Sequence, residues 1–359
     1  MASRSPVEPR GAPGGAWKSA PARRRHIRRA LLLLAGFVLL VAVFRSVGWR
    51  EIAANVSRAG PWFLFVVAIF TLAQLSFALG WRAIIDPVPP LSRFPRLFGM
   101  YLSGDAANSL GPGSVAGEPL KVHLLRDVTG APAALASVTI HKHAELLSQW
   151  IFLSICVGVA VARFSLPVAA RVAALAATAG LGALLFLWSL ALQRGTYSPA
   201  LRWLARWKPL VRRLERFHAP AAQVDGRISE FYAAHSGRFA RSVAWCFAGW
   251  CGGLLETWIL LRLLSPGAGW PAAFAIEGLA MTLNNAFLFI PGRVGTAEGI
   301  RVGVFLLVGL PAAQGAAYAV LRRGRELVWT IPGLLLLLFL RPLAAEEPEM
   351  PLASGGERG

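Results

Sequence analysis

The chain has 359 residues, 55% hydrophobic and only 15% charged, with 37 Lys and Arg against 18 Asp and Glu for a formal charge of +19. Such a composition belongs to a polytopic membrane protein. The basic residues cluster at the ends of apolar runs, which marks membrane topology, and no aromatic-rich RNA motif or zinc-finger spacing points to nucleic acid. Cys156, Cys246 and Cys251 lie in apolar stretches, suit no metal site and are expected to pack.

Residues 1–29 are rich in Pro, Gly, Ala and Arg without apolar period, and are expected to form a disordered basic arm. Arg23, Arg24, Arg25, Arg28 and Arg29 precede the first apolar run, 30–44, and place the N-terminus in the cytoplasm. No small-x-small cleavage site follows, so a retained helix is expected rather than a signal peptide. Residues 45–60 are a polar link. A second helix runs from Pro61 to about Ile85 and is stopped by Pro87, Pro89 and Pro90. The segment 97–125 is too interrupted for one span and is expected to be a re-entrant pair of half-helices. Helices at 131–162 and 167–192 follow.

Residues 193–238 are a basic linker, assigned to the cytoplasm by charge and by helix count, with an amphipathic helix lying on the membrane. The helix at 239–264 crosses outward, 271–310 is a second re-entrant pair, and 312–340 returns to the cytoplasm. Residues 341–359 are a polar tail. The fold class expected is all-α, with about six spanning helices and two re-entrant broken-helix pairs. The membrane domain is 30–340, with repeat one at about 61–192 and repeat two at about 239–340.

That division rests on a stretch written twice. Pro112-Gly113-Ser114-Val115-Ala116-Gly117-Glu118 is matched by Pro291-Gly292-Arg293-Val294-Gly295-Thr296-Ala297-Glu298. Arg82 and Arg262 precede the two prolines at spacings that agree within one residue, and Glu145 and Glu326 follow the two glutamates equally closely. The preceding helices run in opposite directions by charge bias, so the repeats are expected to be inverted. Paired Gly/Pro-broken segments in two halves point to a transporter's binding site. Broken backbone survives in a bilayer only where protein or a water-filled cavity covers it. Both breaks are expected to meet near the midplane and bring Glu118 and Glu298 into one cavity.

Charges inside apolar helices carry the functional reading, since each costs about 2.5–3.5 kcal/mol at the bilayer centre on insertion scales. Lys142 and Glu145 are three apart on a helix, as are Arg323 and Glu326, while Arg322 and Glu326 are four apart, so each pair shares a face. They form either an ion-pair network that only holds helices together or a cationic cleft that admits an anionic lipid headgroup. In the second case the half-helix N-termini after each break would add free N–H groups for phosphate. Glu118 and Glu298 either pair with basic residues of the opposite repeat or carry a proton. His141 and His143, two apart, suit metal chelation poorly. The substrate-binding set is therefore Glu118, Lys121, Lys142, Glu145, Arg293, Glu298, Arg322, Arg323 and Glu326, with no catalytic residue, metal or cofactor.

The chain resembles the lysylphosphatidylglycerol synthase transmembrane-region family, the flippase-like membrane proteins, over about 30–340. Gly117-Glu118-Pro119-Leu120-Lys121 carries the resemblance, as do Pro291-Gly292 through Glu298-Gly299. Leu321-Arg322-Arg323-Gly324-Arg325-Glu326-Leu327-Val328-Trp329 with Pro332-Gly333 is similar to members associated with hopanoid biosynthesis. The resemblance implies movement of a lipid or lipid-linked molecule between leaflets of the cell membrane. No aminoacyl-transferring domain is seen after the membrane region, so lipid aminoacylation is not implied. Membrane lipids are the expected partners, with lipid-biosynthesis enzymes beside them and no nucleic acid. Two other functions compete: a non-transporting accessory protein of a lipid pathway, and a membrane-embedded transferase using paired carboxylates. The second lacks a nucleophile motif, metal cluster or nucleotide loop.

Overall fold

The computed structural model describes residues 59–110, 116–204, 218–287 and 295–339, together with Ala54 and Ser57. The arm, the first apolar run, the tail, and the motif tips 112–115 and 291–294 with Arg293 lie outside the described residues. Among the described residues the chain forms eleven α-helices and no strand.

Helix α1 (Trp62–Ile84) ends with Arg82 in its last turn, where Ile85 turns extended. The prolines that follow lack the N–H needed to continue it. A 3₁₀ turn (Leu91–Arg93) leads into α2 (Phe94–Leu110), and α3 (Gly117–Thr129) stops at Gly130, whose φ of 80° suits glycine. Then come α4 (Ala131–Arg163), α5 (Val168–Arg194), α6 (Tyr197–Leu204), α7 (His218–Ala234) and α8 (Ser236–Leu264). The chain closes with α9 (Trp270–Ala286), α10 (Thr296–Leu307) and α11 (Ala312–Phe339). Each expected broken segment thus holds two short helices, α2 and α3 in the first and α9 and α10 in the second. Helices α1, α4, α5 and α8 are long and apolar enough to cross a membrane. Helix α11 has 28 residues, but Arg322, Arg323, Arg325 and Glu326 sit in its middle.

Helix α1 packs along α8 in the most extensive pairing among the described residues. Lipid gives no hydrophobic drive for such a contact, so close approach has to hold it. Gly249 supplies that approach: a Cβ there would stand 2.6 Å from the Phe77 ring. Gly249→Leu is therefore expected to destabilise the protein by about 1–3 kcal/mol through overpacking. Thermal unfolding in detergent reads the loss, and Phe77→Ala in the same chain should return part of it. Unfolding unchanged by Gly249→Leu would mean that the two helices do not meet there.

Helix α4 is the hub, touching α3, α5, α7, α8 and α9, while α2 lies against α11. Ser103 Oγ of α2 donates to the Gly333 carbonyl of α11 at 2.9 Å.

Helix α7 is amphipathic, but its stripe of Ala221, Val224, Ile228 and Phe231 is buried, with the last three clustered on Ile84, Ile140 and Leu192. Protein covers that face because α7 packs on α4. The short α6 is the helix that leaves apolar surface open, with Trp203 58% exposed. Asp225 of α7 ties the two together, accepting the N–H groups of Thr196 and Tyr197 at 2.9 Å and of Ser198 at 2.7 Å. Burial raises the Asp225 pKa, but hydrogen bonds from Ser198, Tyr197 and Thr196 outweigh it and hold the carboxyl below its ordinary value. A folded pKa below the unfolded value of about 3.9 means that the clamp stabilises at neutral pH and is lost as pH falls through the folded value. Amide exchange in α6 should accordingly rise from about pH 6 to about pH 3 beyond the intrinsic pH effect, and Asp225→Ala should show the rise at both. Exchange in α6 indifferent to both changes would rule the clamp out.

Candidate functional site

Two sets of charged side chains sit at corresponding places, one beside each break. In the first, α3 packs on α4 and sets Glu118 beside Lys142. Lys142 Nζ lies 2.9 Å from Glu145 and 3.7 Å from Glu118, and Lys121 Nζ lies 3.4 Å from Glu118. Asn108 Nδ2 donates to the same Glu118 oxygen at 3.1 Å. Lys121 is only 2% exposed and stands 4.8 Å over the Tyr101 ring. Glycine makes room for it: a Cβ on Gly104 would meet the Lys121 stem at 2.6 Å, and one on Gly117 would overlap the Gly104 carbonyl oxygen at 1.8 Å.

In the second set, α10 packs on α11. Arg323 bridges two carboxylates, Glu298 at 2.6 Å and Glu326 at 2.9 Å, while Arg301 reaches Glu326 at 3.1 Å. Glu118, Lys121, Lys142 and Glu145 thus correspond in order to Glu298, Arg301, Arg323 and Glu326. Arg301 is absent from the residues expected from sequence. Its signal was present: it follows Glu298 by three residues as Lys121 follows Glu118, the spacing that puts both on one helix face.

Three expectations need correction. Glu118 and Glu298 pair within their own halves, because each short helix lies directly on the long charged helix that follows it. The helix N-termini are also partly filled by the chain itself: Asn108 Oδ1 takes the Gly117 N–H and Glu298 Oε2 takes the Gly295 N–H, both at 2.7 Å. Short polar side chains at such positions compete directly with any phosphate. Finally, Arg322 turns away from Arg323 into a buried group. It bonds Glu277, Thr257 and Tyr318, and its Nε is 3.5 Å from Glu256. Arg325 Nε reaches the fully buried Glu256 at 3.1 Å. That group was invisible because its carboxylates come from α8 and α9, far off in the sequence.

Between the two halves lies a cavity of about 200 Å³. Gln74 and Asp105 reach it from α1 and α2, and Arg301, Arg323, Arg325 and Glu326 from α10 and α11. Three guanidiniums face two carboxylates there. Arg301 Nη1 and Trp329 Nε1 have no hydrogen-bond partner among the described residues. Gln74 Nε2 donates to Asp105 at 2.8 Å, and Asp105 lies within Coulombic reach of Lys121, Lys142 and Glu145. The first set therefore adjoins the cavity through Asp105. Glu298, 2% exposed, stands behind Arg323, and Glu118 lines a different cavity with Lys142. Neither of these two cavities is lined by both glutamates among the described residues.

His143 is held by Tyr232 at 2.6 Å and Ser189 at 2.7 Å, a packing role. His141 is buried against Trp81 and Tyr101. Among the described residues no group of His, Cys, Asp and Glu has the arrangement of a metal site.

The family model described as the lysylphosphatidylglycerol synthase TM region matches residues 29–333. A UPF0104 membrane protein of Methanothermobacter thermautotrophicus is 26% identical over 330 residues, covering 84% of this chain and 89% of that protein. No solved structure matches.

Proposed function

From the premise that this chain belongs to the lysylphosphatidylglycerol synthase transmembrane-region family, we propose that it carries an anionic or lipid-linked molecule between membrane leaflets through the cavity between its two halves. The observation that carries this is the cavity wall: three guanidiniums and Trp329 from one half, with Arg301 Nη1 and Trp329 Nε1 unpaired among the described residues, face Asp105 and Gln74 of the other. Cationic side chains within a bilayer are expensive and are used where a charge has to pass or bind.

The halves form an inverted repeat in this proposal. The order long, short, short, long occurs in α1–α4 and again in α8–α11. The pairings are reciprocal, α2 on α11 and α9 on α4, with α1 on its own counterpart α8. Both features suit a pseudo-two-fold axis in the membrane plane, with the short pairs re-entrant from opposite sides. Arginine bias puts both termini and the linker in the cytoplasm of a cell whose plasma membrane holds the protein. No chemical step is assigned to the site: Glu298 and Glu326 are tied in ion pairs and Asp105 accepts from Gln74, which suits a carrier and not an acid–base enzyme. Lipid-synthesis enzymes are the proposed neighbours that supply the cargo.

Reconstitution tests this. Liposomes carrying the protein and fluorescent lipids of different headgroup should show leaflet exchange fastest for anionic heads. Failure to move any of them, with or without ion gradients, would sink the proposal.

A further inference from the structure

We infer that a second lipid site, for an amphiphile with an uncharged hydroxyl-bearing head, lies on the first half, enclosed by α3, α4, α5 and the start of α6. The cavity there has a volume of about 460 Å³, within the range of roughly 300–1,000 Å³ usual for small-molecule sites. Its walls are mostly apolar, with Val138, Trp188 and Leu192 among them, and its polar groups are few.

Those polar groups set the head chemistry. Glu118 and Lys142 both line the cavity, so its charges cancel. An anion entering meets Glu118 and a cation meets Lys142, and such unpaired like charges discriminate against both. Thr139 donates its one hydroxyl proton to the Leu135 carbonyl at 2.9 Å, so the Tyr197 hydroxyl 2.6 Å away donates to Thr139 and keeps a free acceptor. Thr196 Oγ1, also on the lining, is buried with no partner among the described residues. A hydroxyl both donates and accepts, which matches Glu118, Lys142, Thr196 and Tyr197 together.

The surroundings set the body. On the outer face of α5, Leu184 is 66% and Leu187 60% exposed, so bilayer hydrocarbon lies against this helix. An occupant arriving from there brings an apolar chain. The second half offers no copy of this cavity among the described residues, since no counterparts of α5 and α6 follow α11 there. The site does not depend on transport through the cavity between the halves.

The test is photolabelling of the full chain in phosphatidylcholine vesicles with a diazirine-bearing long-chain monoacylglycerol. Saturable label is expected on peptides spanning 135–142 and 188–197. Unlabelled monoacylglycerol should compete at least about tenfold better than a fatty acid or an alkyl trimethylammonium of equal length, a difference of about 1.4 kcal/mol. Leu135→Trp, which fills the cavity, should abolish the label, and Arg301→Gln at the other cavity should leave it. If Leu135→Trp does not accumulate, Thr196→Val, which keeps the shape and removes the hydroxyl, should weaken labelling. Label that does not saturate, or that sits only on the lipid-facing side of α5, would overturn the site. Equal competition by either charged analogue would overturn its preference for an uncharged head.

Discussion

Arg325→Ala is expected to leave little folded protein in the membrane. Arg325 is 3% exposed and its partner Glu256 is fully buried, 3.1 Å away. The Arg325 guanidinium also lies 3.6 Å over the Phe70 ring, tying α11 to α1 as well as to α8. Removing one member of a buried pair strands the other charge, at a cost of about 3–5 kcal/mol. Replacing both partners by apolar residues avoids the stranded charge and often costs little. The double variant Glu256→Leu with Arg325→Met should therefore be more stable than Arg325→Ala alone. Unfolding in detergent, followed with purified protein, compares them. A single variant as stable as the native chain would show that Glu256 finds another partner, with Arg322 at 3.5 Å the obvious one.

Arg323→Ala is expected to separate function from folding. Arg323 is 29% exposed and faces the cavity, so water or lipid headgroups can approach the gap that alanine leaves. Yet it bridges Glu298 and Glu326, and without it two carboxylates face the path of an anion. Leaflet exchange of an anionic lipid should fall at least about 100-fold, or about 2.7 kcal/mol at 1.36 kcal/mol per tenfold. That lies within the 2–5 kcal/mol typical of truncating a buried charge pair. Arg323→Lys keeps the charge but not the two-sided fork, and should recover only part of the rate. Lys142→Ala, the corresponding change in the first half, should act in the same direction. Full activity from a properly inserted Arg323→Ala protein would remove it from the passage.

The sequence was most legible where spacing and punctuation act locally. The prolines after Ile85 end α1, Gly130 ends α3, and short helices lie on either side of both Pro-Gly motifs. The i,i+3 pairs Lys142–Glu145 and Arg323–Glu326 follow from helix geometry alone, and both are ion pairs at 2.9 Å. What could not be read depends on which helix packs on which. Arg322 and Arg323 are neighbours in the chain, but adjacent residues on a helix point about 100° apart. One faces the cavity and the other Glu277. Glu256 and Glu277 joined the buried group only through α8 and α9. The separate partners of Glu118 and Glu298 have a similar cause: each glutamate turns toward its own following helix, and Asp105 is the first-half carboxylate that lines the central cavity.

The central claim is that cargo passes between the two halves, and a reversible bridge across that space tests it most directly. Asp105 and Asn284 line the cavity from α2 and α9, one from each half. In a chain with Cys156, Cys246 and Cys251 replaced, cysteines at these two positions are joined by a cleavable bifunctional thiol reagent, and lipid exchange is measured in liposomes. The doubly substituted chain must first show exchange. Bridging should then stop it, and cleavage of the reagent should restore it, while each single cysteine treated alike keeps its rate. Undiminished exchange in fully bridged protein would place the path elsewhere and contradict the account.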